Sequence, residues 1–264
     1  MKAFLIFLSL VFFTLACQTG LKAQGDNQEY VVTEYMKVKP GMEDQYRECE
    51  KIWKTIHQER MKAGYITGWE LERVVYPYGT ANEYDYLTIT HYKNWAAIHG
   101  ENNETWQAMF GKLNDEQRAI AQKAEDYRDM VKREIWTAGD MVFAEGTTPP
   151  RYRVENFMRI PADGWNAWID METKFVKPVH EKNIAMGNRA GWLIAYMILP
   201  QGDGFPYQAS TVDYYNTWED MNKDQGKAWK EVYPNMSDAD IGKRIESTRT
   251  IILTEVRVLS DYVK

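Results

Sequence analysis

Two histidines at corresponding places are the residues of this chain best suited to acid–base chemistry. His57 follows Trp53 by four residues, and His180 follows Val176 by four, each at the edge of an apolar pattern with helical spacing. Because a four-residue step keeps side chains on one face of a helix, we expect both imidazoles to face the protein interior. There an imidazole could act as a general acid or base near neutral pH, or hold a polar group of a substrate. The alternative is a half-buried histidine with a structural hydrogen bond only.

Glu34 and Asn156 are polar residues in the middle of otherwise apolar strand patterns. They occupy matching positions in the segments 32–38 and 154–160. A polar group buried there without a partner would cost roughly 1–3 kcal/mol, so each should meet a hydrogen-bonding group. The neighbouring histidine is the first choice, and a Glu34–His57 pair would raise the pKa of the imidazole and make it a base. A purely structural hydrogen bond is the alternative.

Polar and aromatic residues on adjacent strand patterns are candidates for ligand contact: Asp213, Thr211, Thr90, Trp69 and Trp192. Asp213, His180 and Asn156 together would also supply side chains of the types that metals bind. However, the sequence has no tight metal-ligand spacing such as His-x-x-x-His, and we predict no metal site. The tryptophans are more readily explained as core residues than as stacking platforms for a ligand.

The spacing of these residues repeats along the chain, which indicates an internal duplication. A shift of 123 positions aligns identical residues without a gap. The first copies are His57, Gly64, Gly68, Trp69, Pro77, Gly79, Tyr84, Thr88, Tyr92 and Trp95, and the second copies run from His180 to Trp218. This period is too long for a solenoid, whose units have about 20–50 residues. We predict two domains, residues 28–146 and 151–264, joined by a linker at 147–150.

In the first half, the residue pattern predicts the element order β-α-β-β-α-β. Alternating apolar and polar residues predict strands, and apolar residues at three- and four-residue steps predict helices. The predicted strands are 32–38, 69–76, 84–92 and 135–143, and the predicted helices run from Met42 to about 63 and from Asn94 to about 131.

The second half repeats this order. Its predicted strands are 153–160, 192–199, 209–215 and 250–259, with a first helix over 165–186 and helical residues from Thr217. Pro178 should kink the first helix just before His180, because proline has no amide hydrogen for the helical bond. The order is that of the ferredoxin-like unit, whose sheet has helices on one face only. Two such sheets can cover each other, so we predict an α+β fold of two tandem ferredoxin-like repeats that pair as a pseudo-two-fold barrel.

On this element order, and on its opening strand with a following glycine, the chain resembles the dimeric α+β barrel superfamily. That superfamily includes antibiotic-biosynthesis monooxygenase-like proteins, NIPSNAP-like proteins, small haem-degrading monooxygenases and tandem-repeat chlorite dismutases. The segment from Glu155 through Asn156 to Gly164 is similar to the first strand of the haem-degrading branch. The resemblance implies that Asn156 faces a pocket between sheet and helices, with Glu34 as its counterpart in the first repeat.

The sequence departs from the haem-binding members of this superfamily. The haem-degrading branch has a pocket tryptophan on its third strand, where this chain has Thr90 or Asp213, and a histidine on its second helix. His99 lies near the latter place in the first repeat, but the second repeat has no histidine there. Chlorite dismutases carry their haem-binding histidine on the second strand of the second repeat, and residues 192–199 include none. We therefore predict that the protein binds no haem and no other cofactor.

The first residues have the layout of a secretory signal. Lys2 is followed by an apolar run, 4–15, that is too short for a permanent membrane helix, and small residues come next. Removal of residues 1–23 would leave an extracytoplasmic protein, periplasmic or secreted. Alternatively, Thr14-Leu-Ala-Cys17 resembles a bacterial lipobox, and lipidation of Cys17 would tether the protein to a membrane.

Composition limits the partners of the mature chain. The formal net charge is −6 and the pI is near 5.4, so nucleic acid is not expected as a partner, since no basic stripe is present to neutralise phosphates. Cys49 is the only cysteine certain to remain after processing, so no intramolecular disulfide is expected. Aromatic residues make up 14% of the chain and can supply the core instead.

We therefore expect an exported protein that binds a small aromatic or apolar molecule in a pocket between sheet and helices. The resemblance implies cofactor-independent oxygenation as the reaction type, with His180 and Asn156, or His57 and Glu34, positioning and deprotonating the substrate. The alternative is a structural or partner-binding module without chemistry. The sequence leaves open whether the protein forms a homodimer.

Overall fold

The computed structural model describes residues 28–146 and 148–264. The predicted signal peptide at 1–23, the Cys17 lipidation site and Thr147 of the predicted linker therefore lie outside the described residues. Within the described part, no helix combines the length and the apolar character needed to cross a membrane.

Eight strands and eight α-helices make up the described chain, together with three short helical segments of other types. The strands are β1 Tyr30–Val38, β2 Gly68–Tyr76, β3 Tyr86–Tyr92, β4 Arg128–Phe143, β5 Tyr152–Arg159, β6 Gly191–Leu199, β7 Ala209–Tyr215 and β8 Thr250–Val263. The α-helices are α1 Glu43–Lys62, α2 Asn103–Phe110, α3 Asp115–Ala121, α4 Ala124–Tyr127, α5 Trp165–Asp170, α6 Lys177–Ala185, α7 Gly226–Val232 and α8 Asp238–Glu246. The remaining segments are 3₁₀ turns at Trp95–His99 and Glu219–Asn222 and a π-helix at Met171–Val176.

The strands form one closed antiparallel barrel in the order β1-β3-β2-β8-β5-β7-β6-β4. Strands β1 to β4 are neighbours in the order β4-β1-β3-β2, and strands β5 to β8 follow the corresponding order β8-β5-β7-β6. The pairs β2–β8 and β4–β6 join the two groups. The predicted α+β barrel is confirmed at this level, as a mixed α+β fold around a closed eight-stranded barrel.

Strand β1 is buried on both sides of the barrel wall. Successive residues of a strand face opposite sides, so its buried residues show what covers each side. On β1, Val32 and Met36 pack with Trp69 of β2 and with Tyr46 of α1, so this side faces the helices. Tyr35 lies between them in sequence and packs with strand and loop residues such as Leu87 instead. The wall therefore separates two buried regions, the helix–sheet layer outside it and the barrel interior within it.

The long helix predicted from Asn94 to about residue 131 is wrong. Asn102 and Asn114 each cap a new helix by accepting a hydrogen bond from a backbone amide three residues on, so the segment divides into short pieces. Residues 128–134 form the start of β4 and pair with β1. Strand β8 likewise continues to Val263, beyond the predicted end, because its last residues pair with β2.

The first helix of the second half is interrupted where its proline predicts a kink. Between α5 and α6 the backbone forms the π-helix Met171–Val176, and Pro178 is in the first turn of α6. A wider turn before proline lets the helix continue without the amide hydrogen that proline lacks. The corresponding helix of the first half, α1, runs over 20 residues without interruption.

Candidate functional site

His57 lies in the helix–sheet layer of the first half, where an arginine holds it. The imidazole stacks on Trp69, with ring centroids 4.8 Å apart and planes 19° apart. Its Nδ1 is 2.8 Å from Nη1 of Arg60, one turn further along α1. The same guanidinium donates to the Tyr92 hydroxyl at 3.0 Å and pairs with Glu101 at 2.6 Å. Arg60 thus joins the imidazole, the Tyr92 hydroxyl and the Glu101 carboxylate in one network.

His180 has the same surroundings in the second half. It stacks on Trp192, with ring centroids 4.7 Å apart and planes 16° apart. Arg189 is hydrogen-bonded to its Nδ1, donates to the Tyr215 hydroxyl at 3.1 Å and pairs with Asp213 at 2.5 Å. Burial raises the pKa of Asp213, and the guanidinium opposes that rise. The two histidine sites therefore share a His–Arg–Tyr arrangement with one carboxylate each.

The arginine beside Nδ1 determines the protonation state of each imidazole. A guanidinium only donates hydrogen bonds, so Nδ1 must accept one, and the proton of the neutral ring is on Nε2. Burial, and then the charge of Arg60 or Arg189, holds the pKa of each imidazole well below its usual value. At neutral pH both rings are therefore neutral Nε2–H donors. The predicted increase in the pKa of His57 is wrong.

Glu34 does not contact His57, and the predicted pair between them is wrong. Its carboxylate accepts a hydrogen bond from Nε of Arg133 at 2.8 Å and one from the Thr88 hydroxyl at 3.3 Å. Both partners lie directly opposite Glu34 on the neighbouring strands β4 and β3. Side chains opposite each other in a ladder have Cβ atoms about 5 Å apart, which favours these contacts over one to α1.

Asn156 makes the corresponding contacts in the second half. Its amide accepts from the Thr254 hydroxyl at 2.8 Å and donates to Thr211 at 3.4 Å, and both threonines lie opposite it on β8 and β7. His180 is not among its partners. Glu34 and Asn156 thus belong to the barrel wall, where their hydrogen bonds are structural.

The register of the sheet explains the other predicted residues. Thr90 lies opposite Trp69, and Asp213 lies opposite Trp192 in the equivalent pair. A carboxylate therefore reaches the second histidine site from β7, whereas Glu101 reaches the first one from the segment before α2. Among the described residues, no group of three or more His, Cys, Asp and Glu side chains could hold a metal ion.

Sequence reasoning missed both arginines. Arg60 follows His57 by three residues, a helical spacing that could have identified it. Arg189 precedes β6, and the position 123 residues before it is Ile66, so the repeat offers no signal for it. The two sites reach the same arrangement from different places in the chain.

A cavity of about 370 Å³ lies at one end of the barrel interior, and we call it the barrel-mouth cavity. It is lined by Val74, Pro77, Asn82, Glu83, Tyr84, Lys132, Glu134, Phe205, Pro206, Tyr207, Ile252, Leu253 and Glu255. The β2–β3 and β6–β7 connections and the strands β4 and β8 all contribute. Both halves of the chain therefore form its wall.

Two tyrosine–glutamate pairs cross between the halves at this cavity. The Tyr84 hydroxyl donates to Glu255 of β8 at 2.7 Å, and the Tyr207 hydroxyl donates to Glu134 of β4 at 2.7 Å. Tyr84 and Tyr207 are equivalent in the sequence repeat. Each tyrosine thus binds a carboxylate that belongs to the last strand of the other half.

The two carboxylates differ in the donors around them. Glu134 also accepts from the Tyr35 hydroxyl at 2.7 Å and from the Trp136 indole at 3.0 Å, and Nζ of Lys132 is 3.6 Å away. The Lys132 ammonium in turn donates to the Tyr207 hydroxyl at 2.9 Å. Glu134 is therefore fully engaged with donors.

Glu255 has fewer donors than its counterpart. The positions that supply Tyr35 and Lys132 to the other pair hold Phe157 and Leu253 here, and neither can donate. Oε1 of Glu255 is buried without a hydrogen-bond partner, and Nε of Arg257 is 3.3 Å from it. Burial is the main cause that raises the pKa of Glu255 to about 7. A carboxyl of this kind can accept or release a proton at neutral pH.

Charged side chains continue from the cavity into the barrel interior. Arg153 pairs with Glu70, and its Nε is 2.6 Å from Glu72. Arg257 pairs with Glu155 and lies 3.3 Å from Glu72. The sequence shows the carboxylates only as charged residues within strand patterns, and their partners belong to distant strands, so sequence reasoning missed this network.

Solved structures share this fold at very low sequence identity. A variant of the chlorite dismutase from Candidatus Nitrospira defluvii, in complex with cyanide, is 8% identical, with 90% of this chain and 92% of that chain covered and a TM-score of 0.51. A protein from Fusobacterium nucleatum subsp. nucleatum, named provisionally as a monooxygenase, is 7% identical, with 88% and 91% covered and a TM-score of 0.50. No protein-family model and no curated protein matches the sequence. These likenesses show the fold alone, a mixed α+β fold around a closed eight-stranded barrel.

Chlorite dismutases within this fold raise the question of haem, and the residues present do not fit that group. His180 lies in the helix–sheet layer of the second half, but Arg189 at its Nδ1 leaves the proton on Nε2, so no free lone pair remains there for iron. Trp192 and Ile194, each 0% exposed, fill the layer between β6 and the helices. Within the described residues of this layer, there is neither a free imidazole donor nor the space that haem requires.

Proposed function

We propose that the protein binds a small molecule with an aromatic or apolar body in the barrel-mouth cavity. The observation that carries this proposal is the cavity itself, whose volume of about 370 Å³ is within the usual range for small-molecule sites. Val74, Phe205 and Leu253 supply apolar wall, while Lys132 and Glu255 supply the few polar groups that orient a ligand. Such a mixture is typical of ligand sites.

The cavity is preferred over the helix–sheet layer as the binding place. Trp69 and Trp192 are each 0% exposed, and the imidazoles stacked on them are tied to arginines. A ligand in that layer would have to displace a buried tryptophan or separate a paired guanidinium. Either change costs several kcal/mol.

The reaction type that we propose for this site is cofactor-independent oxygenation. Such a reaction requires removal of a proton from the substrate, and Glu255 is the group in the cavity best suited to receive it, with a pKa of about 7. Lys132, 2.9 Å from the Tyr207 hydroxyl, would stabilise negative charge that forms on a substrate oxygen. The solved structure from Fusobacterium nucleatum, which has the same fold and is named provisionally as a monooxygenase, supports this reaction type only through that name.

A ligand panel with a cavity-filling variant tests the binding proposal. Phenols and quinones that enter the cavity should raise the melting temperature of the wild type by several degrees, because ligand binding stabilises the folded state. Leu253→Trp fills the cavity and should abolish the increase. Leu199→Trp, at a position that is 45% exposed and outside the cavity lining, is the matched control and should retain it. Equal shifts in both variants, or no shift in the wild type, would contradict the proposal.

A non-catalytic module on the same fold is the alternative, and the pairing of both imidazoles with arginines favours it. It predicts that His57→Ala and His180→Ala lower the free energy of unfolding modestly. It also predicts that no ligand raises the melting temperature of the wild type, so that Leu253→Trp has no such increase to remove. Turnover of any phenol with dioxygen by the wild type, lost in Glu255→Gln, would exclude it.

We also propose that the chain arose by tandem duplication of a ferredoxin-like unit and that it is exported. The repeat with its 123-residue shift and the two corresponding strand orders support the duplication. The layout of residues 1–23 supports export, and the mass of the mature protein distinguishes cleavage before Gln24 from lipidation at Cys17. A homodimer is a further proposal, which light scattering of the purified protein would test.

A further inference from the structure

Buried carboxylates outnumber buried cations in the described barrel interior. The buried carboxylates are Glu70, Glu72, Glu134, Glu155 and Glu255, and the cations beside them are the buried Arg153 and Arg257 and the half-buried Lys132. Because an uncompensated charge in a buried site is costly, the interior must take up positive charge in some form.

The excess negative charge falls beside the barrel-mouth cavity. Arg257 faces three carboxylates at once, Glu72 and Glu255 at 3.3 Å each and Glu155 in closer contact. At the other end, Glu70 has Arg153, with Lys264 as a further cation 3.7 Å away. Glu255 thus shares one guanidinium with two other carboxylates, and its Oε1 is buried without a hydrogen bond at the cavity wall.

The wall next to Glu255 is built to hold a cation. The ammonium of Lys132 lies 4.3 Å from the ring centroid of Tyr35, 5.0 Å from that of Tyr84 and 5.5 Å from that of Tyr207. Aromatic faces within about 6 Å attract ammonium groups. Tyr84 and Tyr207 also line the cavity, so a cation that entered it would meet the same rings.

We propose that the ligand of the barrel-mouth cavity is a protonated amine with an aromatic or apolar body, whose ammonium pairs with Glu255 in place of a proton. This inference rests on the proposed function, because it specifies the ligand of the same cavity. The ammonium supplies the positive charge that the interior lacks, and the body lies against Phe205 and Leu253. A neutral ligand of the same shape gains no ion pair with Glu255.

The groups that face Glu255 make its charge depend on a nearby cation. They are Tyr84 from the β2–β3 connection, Glu72 from β2, Lys132 and Glu134 from β4, Glu155 from β5, Tyr207 from the β6–β7 connection and Arg257 from β8 itself. Glu72 and Glu134 oppose ionisation, and Lys132 favours it. With a pKa of about 7, Glu255 releases its proton readily when an ammonium arrives. Binding should therefore release protons and strengthen as pH rises from 6 to 8.

Calorimetry with paired ligands tests the inference on the full mature chain. Benzylamine, 2-phenylethylamine and tyramine would be compared with the corresponding alcohols, and with phenylacetate as the anion, at pH 6 and pH 8 in two buffers of different ionisation enthalpy. We expect at least one amine to bind about tenfold or more tightly than its alcohol at pH 8. Its affinity should rise about tenfold from pH 6 to pH 8, as displacement of a proton with a pKa near 7 requires. The two buffers should report proton release.

Two variants complete the test. Glu255→Gln should remove the preference for amines and the pH dependence together. Glu83→Gln makes the same change at a cavity carboxylate whose side chain is 62% exposed, so it should alter amine affinity less than threefold. If Glu255→Gln does not fold, proton release by the wild type in the two buffers provides the test alone.

The possible outcomes separate this inference from the proposed function. An alcohol or phenylacetate that binds at least as tightly as its amine would overturn the inference and leave small-molecule binding in the cavity standing. If no member of the amine, alcohol or phenol panels binds, both the inference and the proposed function fail.

Discussion

At the residue scale, neighbouring arginines limit what the two conspicuous histidines can do. Arg60 and Arg189 occupy Nδ1 of His57 and His180, so each ring retains one donor, Nε2–H, and no lone pair. The chemistry of each imidazole thus depends on a neighbouring arginine. Arg60 is on the same helix as His57, whereas Arg189 lies beyond the end of the helix that carries His180. The carboxyl of Glu255 acquires by burial the neutral-pH reactivity that the histidines lose.

We expect nitrogen NMR of the imidazole rings to show this tautomer directly. Both rings should have an unprotonated Nδ1 and a protonated Nε2, and should stay neutral as pH falls through the range in which an ordinary imidazole titrates, because their pKa lies well below the ordinary value of about 6.5. In Arg60→Gln the pKa of His57 should rise while that of His180 stays unchanged. A proton on Nδ1 of either ring, or titration of both rings near pH 6.5, would contradict the assignment.

The raised pKa of Glu255 also predicts a pH effect on stability. The folded state keeps a proton on this carboxyl up to about pH 7, while the unfolded chain releases it near pH 4.5. The stabilisation from this proton is therefore present below pH 4.5 and is lost as pH rises to 7.

Glu255→Gln removes this loss. Relative to the wild type, the variant should gain up to about 3 kcal/mol in the free energy of unfolding between pH 5 and pH 8. Urea unfolding at both pH values measures the difference. A variant whose stability relative to the wild type is the same at pH 5 and pH 8 would show that the carboxyl titrates normally.

At the element scale, the first helical segments of the two halves differ in backbone regularity although they follow equivalent strands, β1 and β5. Helix α1 is regular throughout, whereas its counterpart has a π-helix at Met171–Val176 directly before Pro178. The irregular backbone ends directly before the residue that has no amide hydrogen, and within it the Thr173 hydroxyl donates a hydrogen bond to the Ile169 carbonyl at 2.7 Å. Proline is tolerated in one helix because the backbone there is already irregular.

Exchanging the residues at this position between the halves tests the explanation. Thr55 is the exposed residue of α1 that corresponds to Pro178 in the repeat. Thr55→Pro should lower the free energy of unfolding by about 3 kcal/mol or more, because α1 has no irregular turn to receive it. Pro178→Thr should change it by less than about 1 kcal/mol. Equal effects of the two substitutions in denaturant unfolding would show that the π-helix plays no such role.

At the scale of the whole molecule, closure of the barrel joins both halves into one structure. The β2–β8 and β4–β6 pairings and the crossed pairs Tyr84–Glu255 and Tyr207–Glu134 all bridge the halves. Removing either half would expose two strand edges and leave the interior charges without partners. The halves are therefore expected to unfold together.

Hydrogen exchange can measure this cooperativity. Backbone amides of β8 and β6, which form the contacts between halves, should exchange only through global unfolding, as slowly as those of the central strand β3. The exposed part of α7 serves as an internal control and should exchange faster by local opening. Faster exchange in β8 and β6 than in β3 would show that the halves separate before they unfold.

The element order and the barrel could be predicted because their signals are local or repeated. Alternation on β1 and β5, helical spacing on α1 and the 123-residue shift are each visible along the sequence. The breaks in the helical stretch after residue 94 were not recognised, although Asn102 and Asn114 cap new helices there. Element types were thus easier to predict than element boundaries.

The candidate sites could be predicted only in part. The sequence placed His180, Asp213 and Asn156 in one cluster, and the structure has His180 beside Asp213 but Asn156 bonded to threonines of the neighbouring strands. It gave the wrong direction for the histidine pKa, since Arg189 comes from a segment with no counterpart in the first half. The barrel interior was missed because its partners are far apart in sequence, as with Tyr84 and Glu255, which are 171 residues apart.

The place of β8 in the barrel has a consequence for how the protein is made. Strand β2, near the beginning of the described chain, has β8, Thr250–Val263, as its neighbour, and β5 lies on the other side of that strand. Until translation has delivered those residues, the growing polypeptide has no way to complete the ring, and β2 and β5 keep open edges. Closure of the barrel must therefore wait until β8 has been synthesised. A chaperone that prevents aggregation of nascent chains would have to protect the open edges of β2 and β5 until then.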